Sequence, residues 1–560
     1  MDTFLLILII GAPLLASGLT AALGPRLGER SSLIGIFALS LSTVAALMIL
    51  FDLAQNKTGT FTISVPLPEP LMYTVLIDRL AAVMMALITS VSLVIHVYSQ
   101  RYMQGDQGYV RFFSLLGLLT FVLLSLVTSG SIFWLFVWWH LITWLLVLLV
   151  SFNHASPAAR AAGRTTLRVQ GLGDASLLAG ILLIYTKFGT FDLAGLFEAL
   201  ESSSKPVFWA GTVFEVNAIS AITLVILLAI VTKSAQFPFH VWLPGTIEAP
   251  TPVSAILHAG IVNAGGFLVN RLAPLYGLAP TSLYLMFFIG GLTALIGATT
   301  MLTQPSVKRR LVYSTMGQMG YMIMECGLGA FALAVFHLCA HGLFKATLFL
   351  NSGANIQKAR SEFKLPDDLH AREAASFSPM TWATGLVVTL IVPLLILLVA
   401  HGIVNIALFE AQGTVIFLLF AWVTSAQAIF SLYRLHAVAS WKVSMTMVVT
   451  VALIGLTYLW AGETFTLFLY AEPGQASAYF QVAGWPKSLF DAFVSFAVAL
   501  VIVMWSYLYG KAHGMRFFSS SNWFGGLQSR AYVAFLNGLY IEDVLRAWGS
   551  RARERKVRSH

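Results

Sequence analysis

Long runs of apolar residues, separated by short polar connections, dominate this chain. A run of about 18–24 apolar residues matches the length of a helix that crosses the hydrocarbon core of a bilayer. The pattern therefore predicts an all-α polytopic membrane protein of about fifteen spans, with the first run retained as a span. The predicted spans cover residues 3–23, 32–51, 77–99, 111–128, 131–152, 168–186, 217–236, 251–270, 281–303, 307–327, 329–353, 379–400, 411–435, 442–461 and 488–510.

Composition agrees with this pattern and excludes an ordinary soluble domain. The chain is 58% hydrophobic and 10% charged, whereas soluble domains are about a quarter charged. The net charge of +9 does not indicate nucleic-acid binding, because the basic residues lie between the apolar runs. The two cysteines, Cys326 and Cys339, both lie within apolar runs. They predict neither a disulfide framework nor a metal site.

The distribution of basic residues predicts the orientation of the chain. If the N-terminus lies outside, sixteen lysines and arginines fall in inner loops, six in outer loops and nine in the C-terminal tail. Basic residues concentrate on the cytoplasmic side of membrane proteins. The count therefore predicts an outer N-terminus and a cytoplasmic C-terminus.

The order of the spans predicts an internal repeat. Spans four to eight and spans nine to thirteen form two blocks of five, and two odd-numbered blocks in series are inverted relative to each other. The seventh and twelfth spans occupy corresponding positions; the helix-breaking Pro238 follows the seventh, and Pro393 lies within the twelfth, which has His401 at its end. Interrupted helices at such positions indicate an ion site near the membrane midplane. The predicted divisions are 1–110, 111–275, 276–440 and 441–560, the last with a basic cytoplasmic tail.

Lys233 ends one of the apolar runs and is the first candidate for chemistry. An ammonium at that depth is costly unless a partner or water satisfies it, and such residues often mark ion pathways. Pro238 and Pro244 interrupt the helix, so the freed carbonyls can hold water beside the amine. Removal from water favours a neutral amine, which lets a lysine accept and release a proton. The alternative is a lysine that extends to the membrane interface.

A second candidate set lies on the span 329–353. His337, His341 and Lys345 recur at every fourth position, so they share one helix face. Three titratable groups spaced by about 6 Å along a helix can form a proton path. The alternative is one or two core histidines with satisfied hydrogen bonds. A histidine pair could also bind a metal, but no third ligand follows nearby.

Asp174 is an acidic residue within the predicted span 168–186. It can pair with Lys233 and control the proton affinity of the amine. It can also form a purely structural ion pair with Arg168. The sequence does not favour one of these two interpretations over the other.

His140 lies in the middle of the predicted span 131–152. It is either a proton relay or a histidine that bonds a backbone carbonyl across helices, and the second interpretation is slightly favoured. Glu325 and Glu410 lie near predicted helix ends. We expect both of these carboxylates to be solvated.

From about residue 77 to residue 352 the chain resembles the antiporter-like subunits of respiratory complex I and of Mrp sodium–proton antiporters. The resemblance implies two inverted five-helix bundles, each with a half-channel. The motifs that carry it are Asp78, His96-Val-Tyr-Ser99, Lys233-Ser-Ala-Gln-Phe-Pro238, Trp242-Leu-Pro244, Pro250-Thr-Pro-Val-Ser-Ala255, His258-Ala259 and His341-Gly-Leu-Phe-Lys-Ala-Thr-Leu-Phe-Leu350. The proton-path residues that it implies are Lys233, His258, His341, Lys345 and Asp174.

Three departures from the family pattern narrow the resemblance. Trp139-His140 stands where the family has Trp-Glu, and His401 is the nearest candidate for the usual lysine of the twelfth helix. The long lateral helix of the complex I subunit is missing, so the chain is not expected at the end of a complex I arm. With these changes the chain looks most like the membrane subunit of the DAB-type inorganic carbon accumulation systems of bacteria.

This resemblance implies a proton-conducting, energy-coupling subunit of a carbon dioxide and bicarbonate uptake complex in the bacterial inner membrane. The implied partner is a large zinc protein resembling a β-carbonic anhydrase, in which proton flow drives hydration of carbon dioxide. No cofactor is expected in this chain, because zinc belongs to the partner.

Two alternatives remain open. One is a membrane subunit of an Mrp-type cation antiporter or of a complex I-like NADH:quinone oxidoreductase. The other is a membrane anchor with no conduction of its own. The sequence has no phosphate loop, dinucleotide fingerprint or nucleophile elbow, so catalysis by this chain is not expected.

Overall fold

The computed structural model describes most of the chain as helices. It describes residues 3–361 apart from 56–58, 66, 69–70, 203–206 and 209–215, together with 449, 453, 460–512 apart from 471, 473 and 485, and 522–541. The first half of the chain contains helices α1 (Thr3–Leu27), α2 (Ser32–Gln55), α3 (Arg79–Tyr102), α4 (Tyr109–Val127), α5 (Ile132–Val150), α6 (Pro157–Phe188) and α7 (Leu193–Ser202).

The following helices are α8 (Ala218–Lys233), α9 (Thr251–Ala259), α10 (Ala264–Arg271), α11 (Ala273–Tyr276), α12 (Pro280–Thr303), α13 (Val307–Gly327) and α14 (Phe331–Ser361). Towards the C-terminus lie α15 (Gln475–Val482), α16 (Lys487–Ala512) and α17 (Asn522–Leu536). Residues 460–469 are also helical.

The prediction of a helical polytopic membrane protein is confirmed. Among the described residues, eight helical stretches are long and apolar enough to cross a membrane, and the first combines α1 and α2. The predicted spans 379–400 and 411–435 lie outside the described residues, as does most of 442–461. The number of fifteen spans, the four divisions and the inverted repeats therefore stay predictions.

Two short antiparallel strand pairs depart from the all-helical expectation. Strand β1 (Phe61–Val65) pairs with β2 (Tyr73–Ile77), with Phe61 opposite Ile77. Strand β3 (Val207–Phe208) pairs with β4 (Val216–Asn217). Both pairs lie in connections between helices, where short stretches with β-branched residues favour extended backbone.

Helix α6 begins eleven residues earlier than the predicted span. The Ser156 side chain accepts a hydrogen bond from the Ala159 amide, and Pro157 occupies the first turn, so the helix has a strong N-terminal signal. Arg160 and Arg164, which precede the predicted span 168–186 and belong to an inner loop in that prediction, therefore lie within α6. The helix ends at Gly189, whose φ of 70° is in the left-handed region that favours glycine.

The predicted span 251–270 is broken into two helices. Helix α9 ends at Ala259, and α10 begins at Ala264 after Gly260 and a 3₁₀ turn over Ile261–Asn263. The Asn263 side chain donates to the Ala259 carbonyl at 2.6 Å, which satisfies one backbone acceptor near the break. The interruption places the end of α9, which carries His258, inside the protein.

Small residues allow the central helices to approach closely. A Cβ atom at Gly320 would collide with the Ala294 backbone nitrogen, and one at Gly290 with the Met324 nitrogen, so α12 and α13 touch backbone to backbone. A Cβ at Gly173 would overlap the Thr232 hydroxyl and lie 3.3 Å from the Ala229 Cα. Such contacts stabilise helix pairs in membranes, where water does not drive helix association.

A partly buried ion pair joins the ends of two helices. The Asp78 carboxylate caps α3 by accepting from the Ala81 amide, and it also accepts two hydrogen bonds from the Arg271 guanidinium at the end of α10. Arg271 further donates to the Val127 carbonyl at 2.9 Å. A charge-assisted, bidentate bond of this kind fixes the orientation of both helix ends.

By internal contacts the chain divides into two units. One comprises Met1–Gly327, Ala334–Ile356 and Ala534–His560, and the other comprises Leu328–Leu333 and Gln357–Val533. In the second unit the Phe331 ring packs edge-on against Tyr479 at 5.0 Å between centroids. The described candidate site residues all lie in the first unit.

Gly173→Ala is expected to destabilise the protein, because the new methyl group would push α6 away from α8. Overpacking of this kind costs about 1–3 kcal/mol. Thermal unfolding of the purified protein in detergent should show a lower midpoint. Gly171→Ala is the matched control, since a Cβ there meets nothing within 4 Å. Equal midpoints for the two variants would contradict the close packing of α6 on α8.

Candidate functional site

Lys233 lies at the C-terminal end of α8 with only 1% of its surface exposed. Its ammonium donates to the Thr143 hydroxyl at 2.7 Å and to the Trp139 carbonyl at 3.2 Å, both on α5. The ammonium also lies 4.8 Å from the centre of the Trp139 ring, a distance at which the ring face attracts a cation. This burial rules out the alternative of a lysine that extends to the membrane interface.

Asp174 on α6 supplies the countercharge to this ammonium. Its Oδ1 lies 3.6 Å from the Lys233 Nζ, and the carboxylate side chain is 4% exposed. Arg168, the other proposed partner, is exposed on α6, and among the described residues it forms no ion pair with Asp174. The sequence left open whether Asp174 pairs with Lys233 or with Arg168, and in the structure Asp174 pairs with Lys233.

His140 on α5 binds the second oxygen of the same carboxylate. Its Nδ1 lies 2.8 Å from the Asp174 Oδ2, so one carboxylate is shared by an imidazole and an ammonium. The expected bond from His140 to a backbone carbonyl is therefore wrong. The contact depends on α5 and α6 lying side by side, which no local pattern in either helix reveals.

The chain turns sharply directly after Lys233. Helix α8 ends five residues before Pro238, and Ala235 adopts a left-handed conformation with a φ of 49°. Pro238 follows a cis peptide bond, and Pro244 begins a 3₁₀ turn over Pro244–Glu248, so both prolines lie beyond the helix. The helix is thus ended at Lys233 rather than broken within itself at Pro238.

Protein groups satisfy several backbone acceptors at the end of α8. The backbone N–H of Gln236 donates to the Val231 carbonyl at 2.9 Å, and the Trp242 indole donates to the Thr232 carbonyl at 3.0 Å. The Lys233 side chain is therefore held at a rigid helix end.

A second group of titratable residues lies between α13 and α14. The His337 ring contacts the Glu325 Oε2 through Nδ1 at 3.0 Å and the Gln318 Oε1 through Nε2 at 2.9 Å. The expectation that Glu325 is solvated is wrong, since this residue is 3% exposed. Although Glu325 lies near the end of α13, the packing of α14 covers it.

His341 and Lys345 continue along the same face of α14. The rings of His337 and His341 lie 6.2 Å apart between centroids. The Lys345 ammonium, which is 1% exposed, donates to the Ser314 hydroxyl of α13 at 2.6 Å. The four-residue spacing thus places three titratable side chains in one row, as the sequence predicts.

His258 joins this second group from α9. Its ring stacks on Phe349 of α14 with 4.4 Å between centroids and an interplanar angle of 8°. A Cβ at Gly342 would lie 2.7 Å from the Ala259 carbonyl, so α14 packs directly on the end of α9.

Several buried polar atoms of the second group lack a protein hydrogen-bond partner. Both ring nitrogens of His258 and His341 and the Glu325 Oε1 make no hydrogen bond to the described residues. Buried polar groups are nearly always paired, often by internal water. The arrangement therefore favours internal water in contact with these imidazoles.

The remaining sequence candidates fall outside the described residues. These are His401, Pro393 and Glu410. In the described part of the chain, no three histidine, cysteine, aspartate or glutamate side chains are grouped so that they could hold a metal ion.

Sequence reasoning missed the polar residues that accept from the two lysines and from His337. Thr143 follows Trp139 by four positions, and Ser314 and Gln318 on α13 have the same spacing. This spacing places each pair on one helix face, a weak signal that was available. The partners across helices could not be deduced from it.

The comparisons with known proteins place the fold in a class. A model described as NADH:quinone oxidoreductase/Mrp antiporter, transmembrane, matches residues 129–391. A second, described as the N-terminus of chain 5 of NADH-ubiquinone oxidoreductase (complex I), matches residues 70–113. Helices with buried, paired charges and these matches define the class of antiporter-like membrane subunits.

A curated relative defines the branch. The chain is 38% identical to the probable inorganic carbon transporter subunit DabB1 of Halothiobacillus neapolitanus, over 95% of this chain and 94% of that protein. The chain therefore belongs to the DabB-type branch of the antiporter-like family of complex I and Mrp membrane subunits.

Other relatives match over a smaller part of their length. Subunit 5 of the chloroplast NAD(P)H-quinone oxidoreductase of Spinacia oleracea is 42% identical over 50% of this chain, and the match covers 37% of that protein. Two solved structures share the fold over 97% of this chain. One is the Mrp complex from Dietzia sp., with a TM-score of 0.58, 22% identity and 60% of its chain covered. The other is an archaeal membrane-bound sulfane sulfur reductase, with a TM-score of 0.57, 17% identity and its whole chain covered.

The pairing of Lys233 with Asp174 predicts non-additive effects on stability. Asp174→Asn leaves a buried ammonium without its countercharge, which costs about 3–5 kcal/mol in comparable buried pairs. Lys233→Met removes that ammonium, so the double variant should be more stable than the sum of the two single effects predicts, by about 1–3 kcal/mol. Unfolding of the purified variants in detergent measures this coupling.

The control cycle combines Asp174→Asn with Lys187→Met, because the Lys187 ammonium instead donates to the Val207 carbonyl. Its two effects should add. Additive effects for the Lys233 pair as well would show that the two charges do not stabilise each other.

Proposed function

We propose that this chain is the proton-conducting, energy-coupling membrane subunit of a bacterial inorganic carbon uptake complex. The observation that carries the proposal is the buried ammonium of Lys233, which shares the Asp174 carboxylate with His140. Intramembrane charges are costly, and they are characteristic of ion pathways. The near full-length similarity to a probable inorganic carbon transporter subunit supports inorganic carbon as the cargo.

The first group of titratable residues, formed by Lys233, Asp174 and His140, provides the elements of a proton-exchange site. A buried ammonium gives up its proton more readily when its countercharge is withdrawn, and it keeps the proton when the countercharge is near. Asp174 can be withdrawn, because His140 offers its carboxylate a second partner at 2.8 Å. Thr143 and the Trp139 carbonyl hold the amine in place through either state.

The second group provides a continuation of the path. His337 exchanges protons with Glu325 across a direct hydrogen bond, and the free ring nitrogens of His341 and His258 can each accept or donate a proton through water. Lys345 ends this row, with the Ser314 hydroxyl as its partner. No direct hydrogen bond joins the two groups among the described residues, so we propose that internal water links them.

The remaining elements of the proposal are those that the sequence resemblance and the distribution of basic residues imply. We propose a large, zinc-binding, carbonic-anhydrase-like partner that carries out the chemistry, and no cofactor in this chain. We also propose two inverted repeats over 111–275 and 276–440, with His401 and Pro393 in the second. The N-terminus would lie outside and the C-terminus in the cytoplasm of a bacterial inner membrane.

A second candidate function is that of a subunit of an Mrp-type antiporter or of a complex I-like oxidoreductase. The 42% identity to a chloroplast oxidoreductase subunit over half of this chain favours it. The two functions differ in their complexes: sister antiporter-like subunits should co-purify in the second case, and one large zinc protein in the first. They also differ in requirement, since only the second needs sodium or quinone.

Lys233→Ala is expected to lower the uptake of labelled inorganic carbon at least tenfold in cells that express the whole complex. Without the amine, no group at the end of α8 can exchange a proton with Asp174. A protonophore should lower wild-type uptake to the level of Lys233→Ala. Omission of sodium should leave wild-type uptake unchanged. Uptake of ¹⁴C-labelled bicarbonate or carbon dioxide by whole cells measures each effect.

Lys187→Ala is the matched control, because this lysine lies in the last turn of α6 and donates to the Val207 carbonyl of β3. It should transport like the wild type. Full uptake by Lys233→Ala would instead support a membrane anchor without conduction. Uptake that depends on sodium and resists the protonophore would support the antiporter alternative.

A further inference from the structure

The His140 ring is held on α5 between two aromatic neighbours. Phe136, one turn earlier, stacks on it at 5.9 Å with an interplanar angle of 13°, and Trp144, one turn later, meets it edge-on at 6.2 Å. Both ring nitrogens have partners: Nδ1 bonds the Asp174 carboxylate, and Nε2 lies 3.0 Å from the Trp144 Nε1. The imidazole therefore has a fixed orientation and a fixed bonding pattern.

The Trp144 contact determines the protonation state of this imidazole. An indole nitrogen can only donate a hydrogen bond, so the His140 Nε2 must accept it. The ring proton then lies on Nδ1, which donates to the Asp174 Oδ2. His140 is neutral in this arrangement, and a second proton can enter only at Nε2, after the indole has left.

We propose that Trp144 is a positioning residue for proton transfer at Lys233. Its indole N–H occupies the one free lone pair of His140 and keeps the imidazole neutral. A neutral imidazole competes weakly for the Asp174 carboxylate, which therefore remains the countercharge of Lys233. Trp144 touches neither the lysine nor the carboxylate and acts through His140 alone.

The step that Trp144 controls is a simple proton addition. When a hydronium ion or another proton donor reaches Nε2, the Trp144 N–H···N bond breaks, a new Nε2–H bond forms and His140 becomes an imidazolium. The imidazolium attracts the Asp174 carboxylate through the existing Nδ1–H bond. The Lys233 ammonium then shares its countercharge with a second cation, so its proton is held less tightly.

Exposure places His140 on the outer side of this group. The side chains of His140, Asp174 and Lys233 are 42%, 4% and 1% exposed, respectively. His140 is therefore the least covered of these three side chains, on the outward face of α5. Trp144, which is 45% exposed, covers the Nε2 atom on that face.

In the described part of the chain, the other titratable groups near α5 make no hydrogen bond or ring contact with the His140 imidazole. The Tyr73 ring packs on Trp134 and Trp138. His258 and Glu248 lie on segments packed against α5, and neither forms a hydrogen bond or ring contact with His140 among the described residues. Asp174 of α6 and, through it, Lys233 of α8 are the charges that act on His140.

The inference rests on the proposed function, because its test reads out transport. Trp144→Phe removes the N–H donor and keeps an aromatic ring. Without this hydrogen bond to Nε2 the second proton enters the imidazole more readily, so the acid limb of the pH profile of carbon uptake should move to higher pH by about half to one unit. Uptake at alkaline pH should stay at the wild-type level.

Two controls separate this effect from a structural one. Trp134 lies on the same helix, and its indole N–H donates to the Leu71 carbonyl instead of to His140. Trp134→Phe should therefore leave the pH profile of uptake unchanged. In a His140→Asn background, Trp144→Phe should cause no shift, because the residue through which Trp144 acts is gone.

The outcomes distinguish the inference from the function beneath it. A pH-independent loss of uptake in Trp144→Phe, an unmoved profile, or a shift that persists in His140→Asn would each overturn the role of Trp144. If the proposed function itself is wrong, wild-type uptake is insensitive to a protonophore, whichever tryptophan is replaced.

Discussion

The free-energy cost of holding the Lys233 ammonium away from water constrains the first unit of this protein more than any other interaction. Two helices meet that cost together: α5 supplies a hydroxyl, a carbonyl and an aromatic face, and α6 supplies the Asp174 carboxylate. The carboxylate reaches the amine because Gly173, its neighbour, lets α6 lie directly on α8. The pairing of the two buried charges therefore depends on the close packing of α6 on α8.

The second group handles its buried charge differently. Lys345 has the Ser314 hydroxyl as its partner, while the carboxylate of Glu325 pairs with His337 two helical turns away. In both groups an imidazole binds a carboxylate through Nδ1. A carboxylate–imidazole pair can move a proton without leaving an isolated charge in a medium of low dielectric constant, which fits a path that must load and unload repeatedly.

The sequence predicts the features of this protein that depend on local pattern. Apolar runs of bilayer length give the spans, and the four-residue spacing gives the row from His337 to Lys345. Prediction from the sequence fails where contacts cross between helices. The bond from His140 to the Asp174 carboxylate depends on how α5 meets α6, and the burial of Glu325 depends on the packing of α14. The break at Gly260 was missed as well, because one glycine in an apolar run is compatible with a continuous helix.

Proton exchange at Lys233 requires that the amine gains and loses a proton while it remains buried beside Asp174. Solid-state ¹⁵N NMR of lysine-labelled protein in lipid bilayers tests it most directly, with the Lys233 signal assigned by its loss in Lys233→Arg. If Lys233 exchanges protons, this signal should change between the ammonium and amine shifts within the pH range in which the complex takes up inorganic carbon. A signal that stays at the ammonium shift throughout that range would contradict a proton-exchanging role for Lys233.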